Sequence, residues 1–195
     1  ASPAAGSMEL TADHLRALAL RPIGPANMGG RVAEIAMVPG KPAQFLVGTA
    51  SGGIFRTGNG GTTWSPVFDD ASVSSIGSIA IAPSDPMVVY AGTGEGNGRH
   101  SSTWGNGVYK STDGGASFVK TGGLDDSREV PRLAVDPWDP DTAYAAVMGH
   151  LWDGSRERGL YRTTNGGATW QPVLQIDENT GCIDVALDPR DPSVV

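Results

Sequence analysis

The chain holds 195 residues, of which 28 are Gly and 14 are Pro, a density of backbone punctuation that excludes a helical bundle. With 39% hydrophobic and 18% charged residues it is apolar enough to bury a core and too apolar to be disordered throughout. The net charge of −7, with no basic run, argues against nucleic acid and anionic membrane surfaces as partners, and no apolar stretch approaches the ~20 residues of a spanning helix.

Residues 1–20 read as an extension. ASPAAGSMEL fits either the start of a mature secreted chain or a cloning remnant ahead of Met8, and TADHLRALAL (11–20) reads as a short capped helix ended by Arg21-Pro22. From there the pattern changes to short alternating apolar runs. In the first unit, strands are predicted over 32–38, 44–49, 53–57 and 63–68, joined by a Pro/Gly turn, a short loop and a Gly-Gly turn.

The unit then recurs. Thr57 to Trp64 (TGNGGTTW), Ser111 to Phe118 (STDGGASF) and Thr163 to Trp170 (TTNGGATW) align without gaps, 54 and 52 residues apart. Ahead of each stands Gly-Ile-Phe, Gly-Val-Tyr or Gly-Leu-Tyr followed by Arg56, Lys110 or Arg162. A second set, IAMVPGKP (35–42), IAIAPSDP (79–86), LAVDPWDP (133–140) and VALDPRDP (185–192), marks the opening hairpin of each copy, the fourth being cut off in mid-strand at Val195. Four short antiparallel strands per copy predict an all-β fold, a β-propeller of four-stranded antiparallel blades over about 31–70, 75–121 and 130–175, with the start of a fourth over 181–195. Closed propellers need at least four blades, so the expected partners include the remaining blades of a longer chain or another copy. In each octet the Ser or Thr, the Asn or Asp and the paired glycines suit a tight hairpin between third and fourth strands, and the final aromatic is expected to pack between blades.

These octets match the Asp-box, or bacterial neuraminidase repeat, S/T-x-D/N-x-G-x-T/S-W/F. From about Leu20 to Val195 the chain resembles Asp-box propellers of bacterial extracellular proteins of glycosyl-hydrolase-like and sortilin N-terminal-like kind, in stretches such as RPIGPANMGGRV (21–32), GTASGGIFRTGNGGTTW (48–64), GTGEGN (92–97), GVYKSTDGG (107–115) and GHLW (149–152). The resemblance implies that Asn59, Gly61 and Trp64, Asp113, Gly115 and Phe118, and Asn165, Gly167 and Trp170 are structural residues at the blade periphery, away from the ligand face. It also implies an extracellular or periplasmic setting. Relatives with this repeat range from sialidases and xyloglucan-cleaving glucanases to photosystem-assembly propellers and sortilin-type receptors, so fold is implied more firmly than function. Sialidases resemble one another in an Arg-Ile-Pro element, where this chain has Arg21-Pro22-Ile23. Xyloglucan-cleaving enzymes carry a catalytic Asp in a TDVGG-like stretch, where this chain has Thr49-Ala50-Ser51-Gly52-Gly53.

In a propeller the loops joining second to third strands, and fourth to next first strands, share one rim face. The first second-to-third loop is minimal (50–52), whereas the next two are long (94–106 and 148–158). They supply the ligand-binding candidates Asn97, Arg99, His100, Trp104, His150, Trp152, Arg156 and Arg158, to which Arg31, entering the first inner strand, is added. Aromatic platforms flanked by hydrogen-bonding groups suit a sugar ring or an extended peptide; the same tryptophans would equally clamp long loops onto their own blades. For hydrolysis, Glu95 is the candidate acid, with Asp153 or Glu157 as its second carboxylate, and loop packing is the competing role of Glu95.

Two readings follow: a recognition or assembly scaffold binding a glycan or a protein or peptide segment, or a sialidase-like or xyloglucanase-like glycoside hydrolase with a divergent catalytic set. No cofactor or metal is expected, since His14, His100 and His150 lie far apart. Cys182 excludes an intrachain disulfide by being alone, and reads as a buried thiol rather than a nucleophile.

Overall fold

A computed structural model describes residues 31–195. The extension over 1–20, its short helix and Arg21-Pro22-Ile23 lie outside the described residues. Among the described residues twelve strands form three four-stranded sheets, each an antiparallel meander in chain order. Blade 1 comprises β1 (Val32–Met37), β2 (Phe45–Thr49), β3 (Ile54–Thr57) and β4 (Ser65–Pro66). Blade 2 comprises β5 (Ile76–Ile81), β6 (Val89–Thr93), β7 (Val108–Ser111) and β8 (Val119–Lys120). Blade 3 comprises β9 (Arg132–Val135), β10 (Ala143–Val147), β11 (Gly159–Thr163) and β12 (Gln171–Leu174). The fold is therefore all-β, and it matches part of a propeller.

The core consists of the two interfaces between blades. On β6, Val89 and Ala91 face blade 1 and join a cluster with Leu46, Ile54, Phe68 and Ile76, while Tyr90 faces the other way, into a cluster with Leu133, Ala143 and Val147 of blade 3. Period-2 alternation thus feeds two interfaces from one strand, and every residue of β6 is buried. Ile79 and Leu133, at matching positions of β5 and β9, are 6% and 5% exposed, whereas Ile35 of β1 is 54% exposed. The side chain at this position packs toward the preceding blade, and among the described residues none covers that side of blade 1.

The opening hairpins repeat almost atom for atom. The N–H groups of Val38, Ala82 and Asp136 donate to the carbonyls of Gln44, Val88 and Thr142 at 3.0, 3.0 and 2.9 Å. Asp188 does the same to Val194 at 3.1 Å. The fourth copy therefore makes its turn, while residues 181–187 form no strand. A strand needs a partner beyond its own turn, and only an isolated bridge, Asp188 to Asp191, forms here.

The octets are equally regular. The hydroxyls of Thr57, Ser111 and Thr163 accept the N–H groups of Gly61, Gly115 and Gly167 at 2.9, 2.8 and 2.9 Å. The side-chain oxygens of Asn59, Asp113 and Asn165 accept the N–H groups of Thr63, Ser117 and Thr169 at 2.9, 3.0 and 3.0 Å. Burial opposes ionisation of Asp113, but hydrogen bonds from Ser111 and Ser117 outweigh it and hold the carboxyl well below the usual carboxylate range. Gly115 has φ of 77°. A Cβ there would stand 2.5 Å from Leu46 Cδ2 of blade 1, so the glycine serves both the turn and the blade contact. Phe118 packs against Phe68 of blade 1, and Trp170 Nε1 donates to Thr121 Oγ1 of blade 2. Trp64 differs from the expected inter-blade packing: it is 43% exposed, meets Phe45 of its own blade edge-on and lies against Gly61 of its own octet.

Candidate functional site

The rim loops of blades 2 and 3 enclose a cleft of about 470 Å³. Three segments build it. The long loop after β6 contributes Arg99, His100, Ser102 and Trp104; the connection from β8 into β9 contributes Arg128 and Glu129; the long loop after β10 contributes His150, Leu151, Trp152 and Asp153.

The connection from β8 forms a fixed floor. Gly105 N–H donates to Arg128 O at 2.8 Å, Met148 N–H to Glu129 O at 2.9 Å, and Val130 N–H to Thr93 O at 3.0 Å, so the segment is tied to both neighbouring loops. Arg128 has φ of 58° and is the single non-glycine residue with positive φ among the described residues. Such a conformation costs about 1 kcal/mol or more and persists where the surroundings enforce it. Gly94 permits it: a Cβ at that position would fall 2.0 Å from Arg128 O. The Arg128 guanidinium is thereby laid over the Trp104 ring, 5.0 Å from its centroid, with Nε donating to His150 Nε2 at 3.3 Å.

Glu129 sits behind it, 2% exposed, with Oε2 lacking a hydrogen-bond partner. Burial pushes its carboxyl up to about 7, against partial opposition from Arg128 and Arg158. A carboxyl of this kind holds a proton near neutral pH and can donate it. The cleft walls, by contrast, are open: Trp104 is 63% and Trp152 72% exposed.

Of the residues singled out from sequence, the structure brings Arg99, His100, Trp104, His150, Trp152 and Asp153 together in this cleft. Asn97 serves the loop itself, its carbonyl accepting Ser102 Oγ at 2.7 Å. Arg158 braces the other loop, donating through Nη2 to His150 O at 2.5 Å and Asp153 O at 2.9 Å. Arg156 lines a separate shallow depression with Gln175 and Asp177, and Glu157 accepts Ser155 Oγ at 2.9 Å. Glu95 is not among the residues lining the cleft. It is 2% exposed and held by Arg31 through two hydrogen bonds of 2.9 and 2.5 Å, with its own N–H on Ser75 Oγ. The Arg31–Glu95 pair ties the entrance of blade 1 to blade 2. Cys182 is half-buried, its thiol pushed up by burial and donating to Asp184 O at 3.3 Å. Arg128 and Glu129 were missed because they fall in a short, unremarkable connection, SREVP; the one available signal was that fourth-to-first loops share this rim.

No known family profile matches the chain. It is similar to the oligoxyloglucan-reducing end-specific xyloglucanase of Emericella nidulans, 28% identical over 183 residues, 86% of this chain and 21% of that protein. Among solved structures, it is similar to an ancestral GH74 enzyme, at 27% identity and a TM-score of 0.59, covering 78% of this chain and 20% of that one. It is also similar to the GH74 xyloglucanase of Xanthomonas campestris, at 25% identity and a TM-score of 0.52, covering 77% and 22%. The likeness is to propeller-type glycoside hydrolases, and the chain spans about one fifth of the length of these relatives. Among the described residues no helix is long and apolar enough to cross a membrane.

Proposed function

We propose that this propeller segment binds a saccharide in the cleft between blades 2 and 3, in an extracellular or periplasmic setting, and that its three octets are Asp boxes serving the fold alone. The observation that carries the reading is the cleft itself: two largely exposed tryptophans, Trp104 and Trp152, line a space of about 470 Å³ together with a buried, unsatisfied carboxyl. Indole faces offer apolar contact to a sugar ring while polar groups at the floor meet its hydroxyls. The likeness to xyloglucan-cleaving relatives supports a carbohydrate over a peptide as the occupant.

A second reading is hydrolysis at the same place. Glu129, with its proton held to about pH 7, is the residue suited to act as general acid, and Asp153 is the other carboxylate lining the cleft. Calorimetric titration of the full chain with xyloglucan oligosaccharides and a panel of other glycans tests the first reading, which fails if nothing binds. Product analysis on the glycans that bind tests the second. Binding without cleavage leaves recognition standing, and cleavage unchanged in Glu129→Gln removes Glu129 from the acid's role.

A further inference from the structure

From the charge lining this cleft, we infer that the saccharide it takes carries a carboxylate, which is received by Arg128 together with Arg99. This rests on the reading of the cleft as a saccharide site and adds the class of saccharide.

The chain is acidic, yet two guanidiniums and two imidazoles, from Arg99, Arg128, His100 and His150, converge on this one cleft. Elsewhere among the described residues Arg31, Lys110, Lys120, Arg132 and Arg190 are held in salt bridges, while Lys41, Arg56, Arg156, Arg158 and Arg162 are not, so what sets the cleft apart is the convergence of its cations rather than their lack of partners. Among the described residues neither Arg99 nor Arg128 is in such a pair. The carboxyls that line the cleft cancel them only in part: burial raises the Glu129 carboxyl to about 7, so it carries a partial charge at neutral pH, and Asp153 is the other carboxyl lining the cleft. Arg128 is also held in advance. Its backbone stays at positive φ by the grip of Gly105 on its carbonyl, and its guanidinium stands over the Trp104 ring. A planar guanidinium held over an indole at the lining of an open cleft, with only its Nε engaged by His150, retains the paired donors that match a carboxylate. Glu129 adds to this at neutral pH and below, because a protonated carboxyl donates to an anion where an ionised one would repel it.

The test uses the full chain and ligand pairs matched except for the carboxylate charge: an oligogalacturonate against its methyl ester, and sialyllactose against its methyl ester, with a neutral xyloglucan oligosaccharide alongside. The inference expects at least one acidic member to bind about tenfold or more tightly than its neutral twin, with the preference reduced in Arg128→Gln and, at an exposed position that does not risk folding, in Arg99→Gln. Which pair shows the preference tells a uronate from a sialate. If neutral ligands bind and neither acidic member is preferred, the carboxylate is wrong and the saccharide site stands. If the acidic preference persists unchanged in both variants, these arginines are not its cause and the inference fails. If no saccharide binds, the site reading and this inference fall together.

Discussion

The octet turns and the rim cleft lie on the same blades and are built in opposite ways. In the octets two different side-chain sets, Thr with Asn at 57/59 and 163/165 and Ser with Asp at 111/113, reproduce one hydrogen-bond pattern to within about 0.1 Å. At the rim no two blades agree, and among the described residues the buried side-chain atoms without partners, Ser127 Oγ, Glu129 Oε2 and Arg158 Nε, all fall there. Buried polar groups are normally paired, so a cluster of exceptions marks a place where something other than folding has set the residues. The periphery spends its polar groups on the fold, and the rim leaves its own available.

Breaking a periphery residue should therefore cost stability, and the largest loss is expected at Gly115→Ala. The added Cβ meets Leu46 across the blade interface in a backbone conformation that L residues avoid, for about 3 kcal/mol. Urea unfolding checks it, and a cost below about 1 kcal/mol would show that the interface yields easily.

At the rim the sign should reverse. The folded Glu129 carboxyl is raised to about 7 from 4.5, so the stability it contributes is full below 4.5 and is lost as pH rises through 7. Glu129→Gln should accordingly be more stable than the parent by about 3 kcal/mol at pH 8 and equal to it at pH 4. An equal effect at both pH values would mean that the carboxyl titrates normally.

Smaller effects separate charge from shape within the octet. Asp113→Ala should cost about 1 to 2 kcal/mol at neutral pH by losing the bonds from Ser117, whereas Asp113→Asn should stay within about 0.5 kcal/mol, since Asn occupies this place in the other two octets. The depressed Asp113 carboxyl contributes stability above the unfolded pKa of about 3.8, lost as pH falls toward its folded value, so the Ala variant's deficit should shrink in acid. Least of all, Trp152→Ala should leave the unfolding midpoint almost unmoved, because the ring is 72% exposed, while weakening saccharide binding about tenfold.

The same contrast explains what the amino-acid sequence made legible. The octets and opening hairpins depend on local turn chemistry, and the second, third and fourth turns form as their Pro, Gly and Asx residues indicate, even where the fourth lacks strands. Loop length singled out the two long loops whose tryptophans, Trp104 and Trp152, line the cleft. Glu129 was not legible, because its significance comes from burial between loops far apart in the chain. Glu95, a more conspicuous acid in a Gly-rich loop, turned out to be paired with Arg31, a contact across blades that no local pattern encodes.

The central claim, that the cleft between blades 2 and 3 is the ligand site, is tested most directly by the indole N–H signals of the full chain's five tryptophans during titration with the matched acidic and neutral oligosaccharides. The account predicts that Trp104 and Trp152 shift together while Trp64, Trp138 and Trp170 stay in place. Shifts confined to Trp64 or Trp138, with Trp104 and Trp152 unmoved under saturating ligand, would contradict it.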